Sequence, residues 1–135
     1  MLTGILFFTA VAFLIQTEPF TFNTNFGDAI FIMLLVLCCI AIPSGYLFAK
    51  NLYSKINPSF SFTEKYPIYQ SGLIIRLASC EGVAILAIIN LLLSNNLINL
   101  VVLLLPLSVI ASYYPTPEKI GREINLTAAE IEELL

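Results

Sequence analysis

The chain has 135 residues, of which 59% are hydrophobic and only 11% charged, with a net charge of −3. A water-soluble domain of this length could not hide so much apolar surface, and there is no basic patch of the kind that holds nucleic acid. The sequence contains no His, which removes the usual general base and the commonest metal ligand.

Four apolar runs follow one another, at residues 2–15, 29–49, 73–93 and 97–113. About 20 residues are needed to cross the hydrocarbon core of a bilayer. The second and third runs meet this comfortably. The fourth meets it narrowly, and Pro106 in its middle predicts a bend. The first run is short. No Lys or Arg precedes it and no small-residue cleavage site follows before Glu18, so it reads as a retained helix rather than a signal peptide. The expected architecture is all-α: an integral membrane four-helix bundle over residues 1–114, with spans at about 2–16, 29–49, 71–93 and 97–113. A cytoplasmic tail, 115–135, follows Tyr114. Within it Thr127-Ala128-Ala129-Glu130 forms a capping box, with Leu126 and Ile131 as its hydrophobic staple. This predicts a short amphipathic C-terminal helix over 128–135.

The basic residues predict the topology. Lys50, Lys55 and Lys65 lie between the second and third runs, and Lys119 and Arg122 follow the fourth. The first connection, 17–28, carries Glu18 and Asp28 but no cation, and Ser94-Asn95-Asn96 carries no charge. Both termini and the middle connection are therefore expected in the cytoplasm. All six tyrosines fall near that same face, where amphipathic rings prefer to sit. In the middle connection Ser61-Phe62-Thr63-Glu64 offers one helix start and Pro67 a second.

Chemistry is sparse, which gives weight to the polar residues of the third run. Glu81 lies inside it, five residues after Arg76. A carboxylate at bilayer depth costs about 2.5–3.5 kcal/mol on insertion scales, so it needs a partner or water. Glu81 shares a helical stripe with Leu77, Ala78, Ala84, Ile85 and Ile88. Arg76 points elsewhere, with Ser79, Cys80, Val83 and Asn90. Polar atoms leaving on two sides predict a helix that is central in the bundle or at a subunit contact. Arg76 is placed to snorkel to the headgroups, whereas Glu81 lies about 7.5 Å deeper by helical rise. Ala78-x-x-x-Gly82 has the small-xxx-small spacing that permits close helix approach. The candidate ion-binding or buried polar residues are thus Glu81, Arg76, Asn90 and Ser79.

Cys38, Cys39 and Cys80 lack metal-ligand spacing and read as small apolar packers. Without His there is no Ser–His–Asp or Cys–His set, and no paired carboxylates or phosphate-cradling glycine loop occur. The sequence names no catalytic residue, cofactor or metal, and leaves enzymatic activity open.

The stretch Gly72-Leu73-Ile74-Ile75-Arg76-Leu77-Ala78-Ser79-Cys80-Glu81-Gly82, with Pro115-Thr116-Pro117-Glu118-Lys119 and Leu126-Thr127, resembles a family of small four-helix bacterial membrane proteins. The resemblance implies a multi-pass protein of the bacterial inner membrane and no particular activity. Glu81-Gly82-x-Ala84-Ile85 is also similar, over about ten residues, to the ion-binding helix of rotary ATPase c subunits.

Two functions are expected to compete. In the first, the chain is a structural or accessory subunit of a homo-oligomer or larger membrane complex, with Glu81 and Arg76 organising helix packing. In the second, it is a proton- or cation-coupled carrier or rotor-like subunit with Glu81 as the ion site.

Overall fold

The computed structural model describes residues 2–22, 29–57, 59–126 and 131. Among them the chain is all-α, with five helices and a single isolated bridge between Thr21 and Asn96. In chain order they are α1 (Leu2–Ile15), α2 (Ala29–Tyr53), α3 (Phe62–Ser94), α4 (Ile98–Ser112) and α5 (Pro117–Ile124). The capping box at 127–130 and the helix expected over 128–135 lie outside the described residues, Ile131 excepted.

α3 is longer than the apolar run that announces it. It begins at Phe62, where the Glu64 carboxylate accepts from the Ser61 backbone N–H at 2.8 Å and from the Ser61 hydroxyl at 2.9 Å. The first of the two helix starts is therefore the one used. Pro67 lies inside the helix, near enough to its start that few turns are disturbed. At 1.5 Å per residue, 33 residues extend about 50 Å, well beyond the ~30 Å of a hydrocarbon core. α3 ends at Asn95, which takes the left-handed conformation at φ 51° that helix C-caps favour in Gly and Asn.

α3 is also the helix around which the others gather. It touches α1, α2, α4 and α5, and its interface with α2 is the most extensive in the chain. Its buried stripe runs through Tyr69, Gly72, Arg76, Cys80, Val83, Ala84, Ala87, Ile88 and Leu91 at helical spacing. Ile5 and Ala12 of α1, Phe31, Leu34 and Cys38 of α2, and Val102, Leu103 and Ile110 of α4 complete this core. Cys38 and Cys80 are buried within it as free thiols, while Cys39 faces outward. Two glycines stand in close contact across the α2–α3 interface. A Cβ on Gly45 would enter the Ser79 side chain, and one on Gly72 would enter the Tyr53 ring. The small-residue spacing read at Ala78 and Gly82 is not used inside the chain: Ala78 is exposed and Gly82 has open space beside it.

At one end of the bundle the main chain is strapped across. The Thr21 N–H donates to the Asn95 carbonyl at 2.8 Å, and the Leu97 N–H donates to the Thr21 carbonyl at 2.9 Å. This joins the segment after α1 to the α3–α4 turn. The other end carries the basic connection 54–61 and α5.

Much of the outer surface is apolar, including Ile30, Met33, Val36, Ile40, Leu47 and Phe48 of α2. Two helices, α2 and α3, are long and apolar enough to cross a membrane. α4 reaches that length only together with α5, from which it is bent by 84°. α4 itself runs unbroken through Pro106. α1 is apolar but shorter.

Gly72→Ala should lower the stability of the chain by about 1–3 kcal/mol, because a rigid ring occupies the space its methyl needs. Gly82→Ala, with nothing beside it, should leave the single-chain stability within about 0.5 kcal/mol or raise it. Thermal unfolding of the two variants in the same detergent compares them.

Candidate functional site

α5 is held where Thr116, Pro117 and Asn125 put it. The Thr116 hydroxyl accepts from the Lys119 backbone N–H at 3.3 Å, Pro117 occupies the first turn, and Asn125 closes the helix at φ 52°. Ile120 and Ile124 then face inward and pack with Tyr69, beside Tyr53, Tyr66 and Leu73. That docking carries Glu123 over the flank of α3.

Arg76 meets it there. Its side chain is 5% exposed, and Nη1 donates to Glu123 Oε1 at 2.7 Å. The guanidinium lies 4.9 Å from the ring centre of Tyr46, 5.0 Å from that of Tyr53 and 5.4 Å from that of Tyr113. Each cation–π contact contributes about 0.5–2 kcal/mol, more as water is removed. Tyr53 is itself fixed, stacked on Tyr69 at 5.6 Å with its hydroxyl donating to the Tyr69 carbonyl at 3.2 Å. One guanidinium thus ties together α2, α3, the end of α4 and α5. Instead of running out to the surface, the side chain is enclosed. Two atoms of the pair, Arg76 Nε and Glu123 Oε2, are buried without a hydrogen-bond partner among the described residues.

Asn90 takes part in a second polar grouping, near the C-terminal end of α3. Its Nδ2 donates to Asn99 Oδ1 at 2.7 Å, and Asn99 Nδ2 donates to the Ser94 hydroxyl and the Asn96 carbonyl, both at 3.0 Å. Asn90 and Asn99 are buried. The arrangement links α3 to α4 across the three-residue turn. Ser79 is a helix-bonded packing residue: its hydroxyl donates to the Ile75 carbonyl at 2.9 Å and lies against Gly45.

Glu81 stands apart from all of these. It is half-buried on the side of α3 that faces α1, and it lines a cleft of about 140 Å³ with Gly4, Ile5, Phe8 and Ile85. No hydrogen bond or ion pair joins it to another described residue. The four residues singled out from the sequence therefore do not converge. Arg76 finds a partner near the middle of the helix and Asn90 near its C-terminal end, Ser79 lies in the α2 interface, and Glu81 alone of the four is left without a polar neighbour among the described residues. Among the described residues no group of three or more Cys, Asp or Glu could hold a metal ion.

The partners of Arg76 escape a reading of local pattern. Glu123 is 47 residues away in sequence, in a stretch that reads as polar tail. The available signal was the cap-and-proline start Thr116-Pro117 followed by Ile120, Glu123 and Ile124 at helical spacing. Comparison with protein-family models, with curated proteins and with solved structures finds no match.

Removing one partner of a buried ion pair costs about 3–5 kcal/mol, and the 32% exposure of Glu123 puts this pair at the lower end. Glu123→Ala should therefore free α5 and speed tryptic cleavage after Lys119 and Arg122 by at least about tenfold, read by mass spectrometry of timed digests. An unchanged rate would show that α5 is held by its isoleucines alone. In the second grouping, Asn90→Leu or Asn99→Leu alone should cost about 1–3 kcal/mol, because the remaining amide loses its partner. The double variant should cost less than the sum, as a thermal double-mutant cycle would report.

Proposed function

We propose that the chain is a four-helix integral membrane protein, with α1 and α4 completing the bundle begun by α2 and α3. Its termini and the α2–α3 connection lie in the cytoplasm, and it acts as a structural or accessory subunit of a membrane oligomer or complex. The resemblance of its third helix to small bacterial inner-membrane proteins suggests that membrane as its location. The clustering of Lys50, Lys55, Lys65, Lys119 and Arg122 outside the apolar segments supports the orientation.

One observation carries the subunit reading. Where Arg76 and the two asparagines find partners, Glu81 finds none among the described residues. Beside it are Ala78, exposed, and Gly82, with open space where a Cβ would stand. A carboxylate next to a small-residue face suits the close approach of a helix that brings a donor, and such a helix would relieve the roughly 2.5–3.5 kcal/mol of leaving Glu81 in lipid. A second copy of the chain or a different subunit could supply it. The same lack of a partner keeps the carrier reading alive, since an unpaired membrane carboxyl is also what a proton site requires.

Native mass in a mild detergent tests the two readings. As a subunit contact, Glu81→Gln and Gly82→Leu should each shift the population towards a smaller species. If both variants keep the wild-type mass, and Glu81→Gln instead abolishes carbodiimide labelling and a proton flux measured in liposomes, the carrier reading replaces it.

A further inference from the structure

The enclosure around Arg76 has a way in. A cleft of about 280 Å³ opens between the C-terminal turns of α2 and α5, lined by Tyr46, Lys50, Tyr53, Arg76, Glu123 and Asn125. We propose that this cleft binds a phosphodiester headgroup that carries a hydroxyl of its own, with the phosphate on Arg76 and Lys50 and the hydroxyl on Glu123.

The charges define the ligand. Arg76 and Glu123 neutralise one another at 2.7 Å, which leaves Lys50 as the uncompensated charge of the cleft. Lys50 Nζ has no partner among the described residues, and neither does the Tyr46 hydroxyl one turn before it on the same face of α2. A single positive charge suits a phosphodiester, with one negative charge, better than a monoester, which carries nearly two. Glu123 is 32% exposed and brings a carboxylate to the wall of the same cleft. A bare phosphate would face that carboxylate with no donor between them. A headgroup with a hydroxyl donates to Glu123 while its phosphate meets Lys50 and the edge of Arg76.

Position favours a lipid as the source. Tyr and Lys one turn apart at the end of an apolar helix sit at headgroup level, and basic pockets between helices on the cytoplasmic side accommodate anionic headgroups. A soluble glycerophosphodiester has the same chemistry, and the experiment separates the two.

Native mass spectrometry of the purified chain in mild detergent, with phosphatidylglycerol or phosphatidylcholine added at equal concentration, provides the test. Phosphatidylglycerol should remain bound at about tenfold higher occupancy, and Lys50→Gln should reduce that occupancy by about tenfold, as expected for the loss of a charge-assisted hydrogen bond. Lys50 is exposed, so the variant should keep the wild-type unfolding temperature. Lys55→Gln, outside the cleft, should bind as wild type does. Displacement of the lipid by millimolar glycerophosphoglycerol would identify the soluble compound as a ligand, and resistance to it would identify the lipid. Equal occupancy by the two lipids, or undiminished binding by a folded Lys50→Gln, would overturn the proposal.

Discussion

The charge of Arg76, held out of water on the inner face of α3, is the constraint around which one end of the molecule is arranged. A buried guanidinium is tolerable only if negative charge or electron density surrounds it. Here Glu123 supplies the charge, and the faces of Tyr46, Tyr53 and Tyr113 supply the density. Each of these groups comes from a different turn of chain, so meeting the needs of one side chain fixes where α2 ends, where α4 turns and where α5 docks. The requirement reaches back to the backbone. Tyr53 can stand beside the guanidinium because Gly72 leaves room for its ring.

The polar residues of α3 divide into those that join parts of this chain and one that does not. Asn90 closes the α3–α4 turn and Arg76 ties the middle of α3 to α2, α4 and α5, so the long helix is pinned at two levels. The interface with α2 includes two close glycine contacts, Gly45 on Ser79 and Gly72 on Tyr53, beside the Tyr53–Tyr69 hydrogen bond. Glu81 lies on a different face, against the sparsely packed α1. Its neighbours among the described residues contribute shape but no hydrogen bond.

Periodicity and hydropathy made the four apolar helices legible, because burial against α3 follows the 3.6-residue repeat. The extension of α3 back to Phe62 was less clear. Ser61 and Glu64 mark its start, but Pro67 offers an equally plausible one, and only packing decides between them. α5 was missed because its stabilisation comes mostly from contacts with Tyr69 and Arg76, distant in sequence, and a helix of 8 residues is not stable by propensity alone. The glycines show the same limit. Ala78-x-x-x-Gly82 has the recognisable spacing, yet the close approaches inside the chain are at Gly45 and Gly72. Spacing identifies residues that permit contact, and the rotation of the helix chooses among them.

The strap at Thr21 has a consequence for the order of assembly. Its partner, Asn95, is 74 residues further along the chain. At ribosomal rates of about 5–20 residues per second, the two are synthesised roughly 4–15 s apart. During that interval α1 has left the ribosome but has neither the backbone bonds of the strap nor most of the α3 surface that buries Ile5 and Ala12. α1 is therefore secured only once Asn95 has been made, and nascent chains halted before Asn95 should carry it as a loosely attached segment.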